Sequence, residues 1–504
     1  MKIIKYSEVC YVNTADNNSV FGNAIQINNS PTNIKCEIKV NDYYQTEISL
    51  ICEDQKSISF LRELENDIRF VVVKSNDNSY YSLYDLSFKS NTHSNRMYKL
   101  SLLTTNCIIG HSPLNVEENF DNISFKITEG FEIIGISPYD TCSIVESEVD
   151  LDKILTINAN PKPLQYNTNI GKLNFVITPK RSFGTRDIKI SLEHSIEFLP
   201  YKPLSLIELR EIINKITSLF TILTGELITV NELSVFLKGD NGYLDEYSFV
   251  GFCNFPIKNL RNLTSNGLDT RGFLRLSLFK VSDFANFDKA LNWWFENYSK
   301  IEVVHSAYER ILLDEDAKIV SVNKFLAAMQ LVEGFSDCFL LDESKEMSFL
   351  KSKKKLLSII NDVQLKEFVE DNLRPNGDTF RTSLKKFLKN NLRIIISMSD
   401  KEFRKYDKFI EHIVSDRNFY THSSQILSKE LSFTQIFDTA AIIKHLYRIG
   451  ILDLMGLDRE IIRKRLARNR SFEAYLWRLF EKKINAGFEV DGFDKMTWHF
   501  KNNY

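Results

Sequence analysis

RDIKISLEH (residues 186–194) and, just beyond it, PYKPLSLIELREIINKITSLFTILTGE (residues 200–226) differ in hydrophobic period, and the change near Pro200 decides how the chain is read. In the first piece Ile188, Ile190 and Leu192 alternate with polar residues, the period-two pattern of a strand with one buried face. In the second, Leu206, Leu209, Ile213, Ile216 and Phe220 recur at helical spacing, with Gly225 placed to stop the helix. Upstream, NIKCEIKV alternates again at Ile34, Cys36, Ile38 and Val40. Similar runs lie at Arg69 to Val73, Met97 to Leu103, Ile123 to Ile127 and Leu173 to Thr178, between Asn, Asp, Ser and Gly clusters that favour turns. Many short strands with turn spacers predict an antiparallel sandwich or barrel-like sheet. Past the helix, LITVNELSVFL and EYSFVGF flank the tight-turn pair Asn241-Gly242, so a hairpin is expected to close the domain.

From Val281 onwards the helical period takes over. Apolar stripes at i, i+3 and i+4 run through residues 288–313, 321–341, 347–373, 380–390, 399–420 and 433–456, which predicts a helical bundle. The fifth of these helices opens with Ser399 and carries Glu402 three residues later, the capping-box spacing. The expected fold class is therefore α+β in two domains. A β-rich N-terminal domain with one helix spans 1–255, a connector 256–280 and an all-α bundle 281–470. An aromatic-rich tail, 471–504, holds Tyr475, Trp477, Phe480, Trp498 and Phe500 and is expected to dock onto the bundle or a second subunit.

Composition narrows the function classes. With 504 residues, 43% of them hydrophobic, and 37 Phe and 20 Tyr, the chain has ample apolar surface to bury, which excludes disorder as its main state. Its 64 basic and 66 acidic side chains give a net charge of -2, so a polyanion would have to be met by a local patch. Lys2, Lys5 and Glu8 interrupt the N-terminal apolar residues before a secretory core forms, and no run is long enough to span a bilayer. The expected location is cytoplasmic, with no membrane partner. Seven cysteines (Cys10, Cys36, Cys52, Cys107, Cys142, Cys253 and Cys338) are scattered without ligand or disulfide spacing and read as apolar filler.

Phosphate-loop, dinucleotide, HExxH and GxSxG signatures are absent. Asp150 and Asp152 form a lone DxD without a third carboxylate nearby, and His305, His412 and His445 stand singly on helices. What remains is Arg417-Asn418-Phe419-Tyr420-Thr421-His422 at the end of the fifth helix. Phe403, Tyr406, Ile410, Ile413 and Arg417 share one stripe, so a permanent cation stands where an apolar residue is expected. A buried Arg costs several kcal/mol unless an anion answers it. Glu333, one turn after Met329 and beside the stripe of its own helix, is either that anion or a solvated helix edge. His422 lies five residues after Arg417, about 140° round a regular helix, so the two converge only if the helix breaks or a second subunit adds its copy.

Between Lys351 and Lys408 there are fifteen basic residues against eight acidic ones. Within this run Lys385, Lys386, Lys389, Arg393, Arg404 and Lys405 are candidate RNA contacts; solvated helix faces with i, i+4 pairing account for about half of the basic residues. A second basic cluster follows at Arg459, Arg463, Lys464, Arg465, Arg468 and Arg470.

The RNxxxH spacing at the end of a capped amphipathic helix resembles the HEPN ribonucleases. A strand-rich domain followed by this bundle, with FLAAMQLVEGF (325–335) and IVSDRNFYTH (413–422), resembles more closely the ApeA-like anti-phage HEPN proteins. The likeness is specific over the last helices and architectural over the first 255 residues. It implies an endoribonuclease that cuts RNA, tRNA being one candidate, without a metal or other cofactor, with two motifs meeting in a homodimer or higher homo-oligomer. Arg417 and His422 then match the catalytic pair and Asn418 its polar neighbour. Tyr420 stacks on a splayed base or belongs to the core. A phage-derived activator at the N-terminal domain is implied by the resemblance alone. The rival expectation is a non-catalytic HEPN-like scaffold or RNA binder in which Arg417 merely pairs with Glu333.

Overall fold

The computed structural model describes residues 3–6, 8–14, 25–26, 35–40, 45–64, 68–74, 78–94, 97–114, 117–127, 141–146, 153–158, 164–183, 188–239, 242–250, 279–316, 321–340, 343–360, 362, 365–366, 369–370, 379–422, 430–482 and 484. Asp150, Asp152, Trp498, Phe500 and all of the expected connector except Phe279 and Lys280 lie outside the described residues. The chain forms two compact units, Met1–Thr270 with Lys280–Ser282 and Asn286–Phe295, and Arg271–Phe279 with Asp283–Ala285 and Glu296–Tyr504.

In the first unit the period-two segments form strands, and every strand pairing among the described residues is antiparallel. One sheet has five strands in the order Ile3–Tyr6, Lys35–Val40, Thr46–Cys52, Met97–Thr104 and Ser87–Ser94. A larger sheet has eleven, in the order Leu164–Asn167, Gly171–Phe183, Ile188–Pro200, Asn122–Ile127, Val230–Lys238, Leu244–Phe249, Asn106–Gly110, Tyr80–Tyr84, Ile68–Lys74, Glu8–Thr14 and Ile25–Gln26. Ile38, Ile48, Leu50 and Leu100 of the small sheet share one core with Val71, Val73, Leu83 and Cys107 of the large one, the sandwich arrangement that alternating strands predict. A helix not expected from the sequence, Gln55–Leu64 (α1), adds Ile58 and Leu61 to this core.

The expected helix after Pro200 runs Leu206–Thr224 (α2). Ser205 and Glu208 close a capping box at its start, and Gly225, at φ 77°, takes the left-handed conformation that ends it. Its Phe220 meets Phe175 of the large sheet at 6.0 Å between ring centres. The hairpin of Val230–Lys238 with Leu244–Phe249 is present, Lys238 facing Leu244 across its turn. The first turns of the helix Phe287–Asp316 (α3) also belong to this unit. Asn292 accepts the Asn169 N–H at 2.8 Å, and Trp294 Nε1 donates to the Lys215 carbonyl at 2.7 Å.

The second unit is helical. After α3 come Asn323–Phe339 (α4), Glu343–Ile359 (α5), Phe380–Ile395 (α6), Asp407–His422 (α7), Phe433–Leu454 (α8), Arg459–Leu466 (α9) and Arg470–Phe480 (α10). The apolar period over 347–373 predicts one long helix, whereas α5 ends at Ile359. Asp362 then accepts the Leu365 N–H at 3.1 Å, a helix-start bond that restarts the chain instead of continuing the turn. The core is built on α8, whose Ile443, Leu446, Tyr447 and Ile451 are buried together with Phe325, Leu331 and Phe335 of α4 and Leu384, Phe387 and Leu392 of α6. Gly450 lets α8 approach both neighbours, since a Cβ there would lie 2.7 Å from Phe335 Cζ and 2.6 Å from Asn391 Oδ1.

The start of the aromatic tail forms α10, with Phe472, Leu476 and Phe480 buried and Trp477 left exposed. Arg478 holds the α8 carboxylate of Asp438 with two bonds, at 2.5 and 2.7 Å. His305 is buried in the core, while His445 is half-buried and edge-on to Phe472, and burial of its ring pushes the imidazole well below the usual histidine range. Of the cysteines, Cys36, Cys52 and Cys107 are buried thiols and Cys338 is a partly buried one. Among the described residues no helix is long and apolar enough to cross a membrane.

Candidate active site

The motif segment starts as its spacing predicts. The Ser399 N–H donates to Glu402 Oε2 at 2.9 Å, and the Glu402 N–H donates back to Ser399 Oγ at 3.3 Å. Bonds from the Ser399 N–H, from Lys482 and from the Ser399 hydroxyl hold the Glu402 carboxyl down at about 2. Beyond this box the helix is not continuous. One turn, Asp400–Phe403, passes into a 3₁₀ turn, Arg404–Tyr406, before α7 begins. Tyr406 donates to the Phe480 carbonyl at 2.7 Å, and Lys482 pairs with Glu402 at 3.0 Å, so the end of α10 clamps the entry to α7.

Phe403, Ile410 and Ile413 are buried, as the stripe requires. The next buried position is Asp416, fully buried, and not Arg417, whose side chain keeps 23% of its surface exposed. Arg417 thus sits at the edge of the stripe, one helical step from its centre. Its Nη2 donates to Glu333 Oε1 on α4 at 2.8 Å, its Nη1 donates to Asn418 Oδ1 at 3.1 Å, and its Cζ stands 5.1 Å from the centre of the Phe380 ring. Carboxylate, amide and ring face therefore fix one guanidinium from different sides.

Tyr420 is half-buried and packs edge-on against Phe325 of α4 at 6.4 Å and Phe419 at 5.1 Å. Thr421 Oγ1 donates back to the Arg417 carbonyl at 2.7 Å and tightens the last turn. α7 is helical through His422, so this position is not beyond the helix; its side chain lies outside the described residues. With helical backbone from Arg417 to His422, the angle of about 140° between the two positions applies.

Sequence reasoning passed over Asp416. Its one signal was the i+3 spacing from Ile413, which competes with the i+4 spacing of Arg417. The carboxylate accepts the backbone N–H of Glu430 at 2.6 Å and of Leu431 at 3.1 Å.

Most of the candidate RNA-contacting cations have internal partners. Lys385 pairs with Asp407 at 2.9 Å, Lys389 with Asp400 at 2.9 Å, and Arg393 with the same Asp400, whose carboxyl is held below its usual range chiefly by Lys389. Lys386 donates to the Leu340 carbonyl at 3.3 Å, while Arg404 and Lys405 stand exposed on the 3₁₀ turn. Of the second cluster, Arg459 pairs with Asp453, Lys464 with Glu460 and Arg465 with Asp283, and Arg463 donates to the Ile394 carbonyl. Among the described residues no three His, Cys, Asp or Glu side chains are grouped to hold a metal ion.

Comparison with known families gives two matches along the chain. Residues 24–294, more than half of the chain, match ApeA N-terminal domain 1, and residues 326–461, from α4 into α9, match the Apea-like HEPN domain. No curated protein and no solved structure matches. The second match contains Glu333, Arg417, Asn418 and His422, and with the first in its place ahead of it, the chain belongs to the ApeA-like HEPN proteins, an anti-phage defence family whose helical domain is nuclease-associated.

Proposed function

We propose that the chain is a defence endoribonuclease that cuts RNA, tRNA being one candidate, by attack of a 2′-hydroxyl on the adjacent phosphate. The observation that carries this reading is the guanidinium of Arg417, held on three sides yet still partly exposed on the turn that ends at His422. Among the described residues, Glu333 and Asn418 each take one of its five N–H donors, which leaves three for a phosphate. Arg417 is then the cation for the charge that grows on the phosphorane. It is a donor and no base, since a guanidinium offers N–H groups and no acceptor. His422 accepts the 2′-hydroxyl proton, imidazole being the side chain tuned to neutral pH. The 2′-oxygen bonds to phosphorus as the bond to the 5′-oxygen breaks and that oxygen takes up a proton, leaving a 2′,3′-cyclic phosphate and a 5′-hydroxyl. Asn418 holds the guanidinium, and no metal enters the scheme.

Two motifs related by a two-fold axis bring an Arg of one chain to a His of the other, which a separation of about 140° on one helix does not. HEPN domains typically dimerise, which supports a shared site. In this reading the strand-rich domain is the regulatory part and receives a phage-derived activator.

Purified chain incubated with tRNA and with synthetic single strands, beside His422→Ala, tests the proposal. Cleavage by the unsubstituted chain alone is the expected result, and equal behaviour of the two chains contradicts it.

One observation favours a second reading. The Arg417–Glu333 pair is also what a purely structural arginine would form, as in a scaffold or an RNA binder that does not cut. In that case Arg417→Lys and Glu333→Gln change stability or RNA affinity, with no cleavage to change.

A further inference from the structure

Asp416 and Arg417 are neighbours in sequence, and they tie α7 to two different parts of the bundle. Arg417 reaches Glu333 on α4. Asp416, about 100° away round the helix, reaches the backbone that leads into α8, with Oδ1 on the Glu430 N–H and Oδ2 on the Leu431 N–H. A carboxylate as buried as this one is costly unless both oxygens are satisfied, and a Leu would fill the place more simply. The retained charge therefore needs a reason beyond packing.

We propose that Asp416 is a positioning residue of the nuclease site. Two ties in different directions fix the rotation of α7 about its own axis, and that rotation sets where position 422 falls round the helix, six residues after Asp416 and five after Arg417. The same carboxylate also holds the backbone at Glu430 and Leu431, at the entry to α8. Asp416 touches no RNA in this scheme and acts through His422. The role rests on the nuclease reading above.

Asp416→Asn keeps the shape of the side chain but turns an NH₂ toward one of the two N–H donors. In the full-length chain it is expected to lower kcat on RNA at least tenfold with KM within twofold, and to speed hydrogen exchange at residues 418–422 and 430–431 while α4 and α8 keep their protection. Glu430→Pro removes one donor from the other end without touching α7, and is expected to give the same kcat loss; it carries the test if Asp416→Asn does not fold. Faster local exchange with kcat within twofold of the unsubstituted chain overturns the proposal, and so does a kcat loss that only follows a global loss of protection. Failure of the nuclease reading is seen separately: the unsubstituted chain then cleaves no RNA, or cleaves it equally well as His422→Ala, and the role of Asp416 falls with it.

Discussion

Arg417 on α7 and Glu333 on α4, eighty-four positions apart in sequence, meet at 2.8 Å, and both belong to the part of the chain that matches the HEPN domain. The pair is partly exposed, so its contribution to stability is modest, and its use lies in holding a planar donor in one orientation.

Arg417→Lys should therefore cost far more in activity than in stability. A point charge cannot reproduce the planar fork, and loss of such a donor in comparable sites lowers kcat by about 100-fold or more. Glu333→Gln keeps an acceptor for Nη2 and should give a smaller loss, about tenfold or less. Rates on a single-stranded RNA, measured beside thermal melts, check both; an unchanged rate for Arg417→Lys contradicts the assigned role.

Stability should respond at the crossing of α8 with α4 and α6. Gly450→Ala places a methyl against Phe335 and Asn391 with no room for it, and is expected to destabilise the helical unit by about 1–3 kcal/mol. Thermal or urea unfolding gives the value, and a variant as stable as the parent would show that these helices are not in close contact.

Acid should loosen the entry to α7. The Glu402 carboxyl is held at about 2, below its ordinary 4.5, so the bonds it makes stabilise the fold fully above about pH 4.5 and are lost as pH falls toward 2. Because the group is exposed, the effect is small and best read as a difference. Between pH 4.5 and 2 the parent should lose more of its melting temperature than Glu402→Gln, and parallel curves would contradict the assignment.

If the site is shared between chains, mixing inactive Arg417→Ala and His422→Ala proteins should restore part of the activity, since a mixed dimer regains one complete pair. No recovery, with mixed dimers shown to form, would mean that each chain carries a complete site.

The parts of the fold legible from the sequence were those set by local chemistry. The change of period near Pro200, helix α2 with its stop at Gly225, the hairpin at Asn241-Gly242 and the Ser399–Glu402 box all rest on residues within a few positions of each other. The strand order of the eleven-stranded sheet was not legible, because Asn122–Ile127 lies between Ile188–Pro200 and Val230–Lys238, partners far away in the chain. Helix α1 was missed because, among its described residues, Ile58 and Leu61 are the only buried apolar positions. In the candidate site the stripe through Ile410 and Ile413 was read correctly and then extended to the wrong residue. A regular helix carries it either three or four positions on, and only the tertiary bonds of Asp416 to Glu430 and Leu431 show that position 416 faces inward.

The central claim is that Arg417 and His422 cut RNA through its own 2′-hydroxyl, and the ends of the cleaved RNA test it most directly. Cleavage in excess EDTA, with the fragments analysed for their termini, should give a 2′,3′-cyclic phosphate and a 5′-hydroxyl, with no fragments from His422→Ala. A 5′-phosphate end, a strict need for magnesium, or the same fragments from His422→Ala would contradict it.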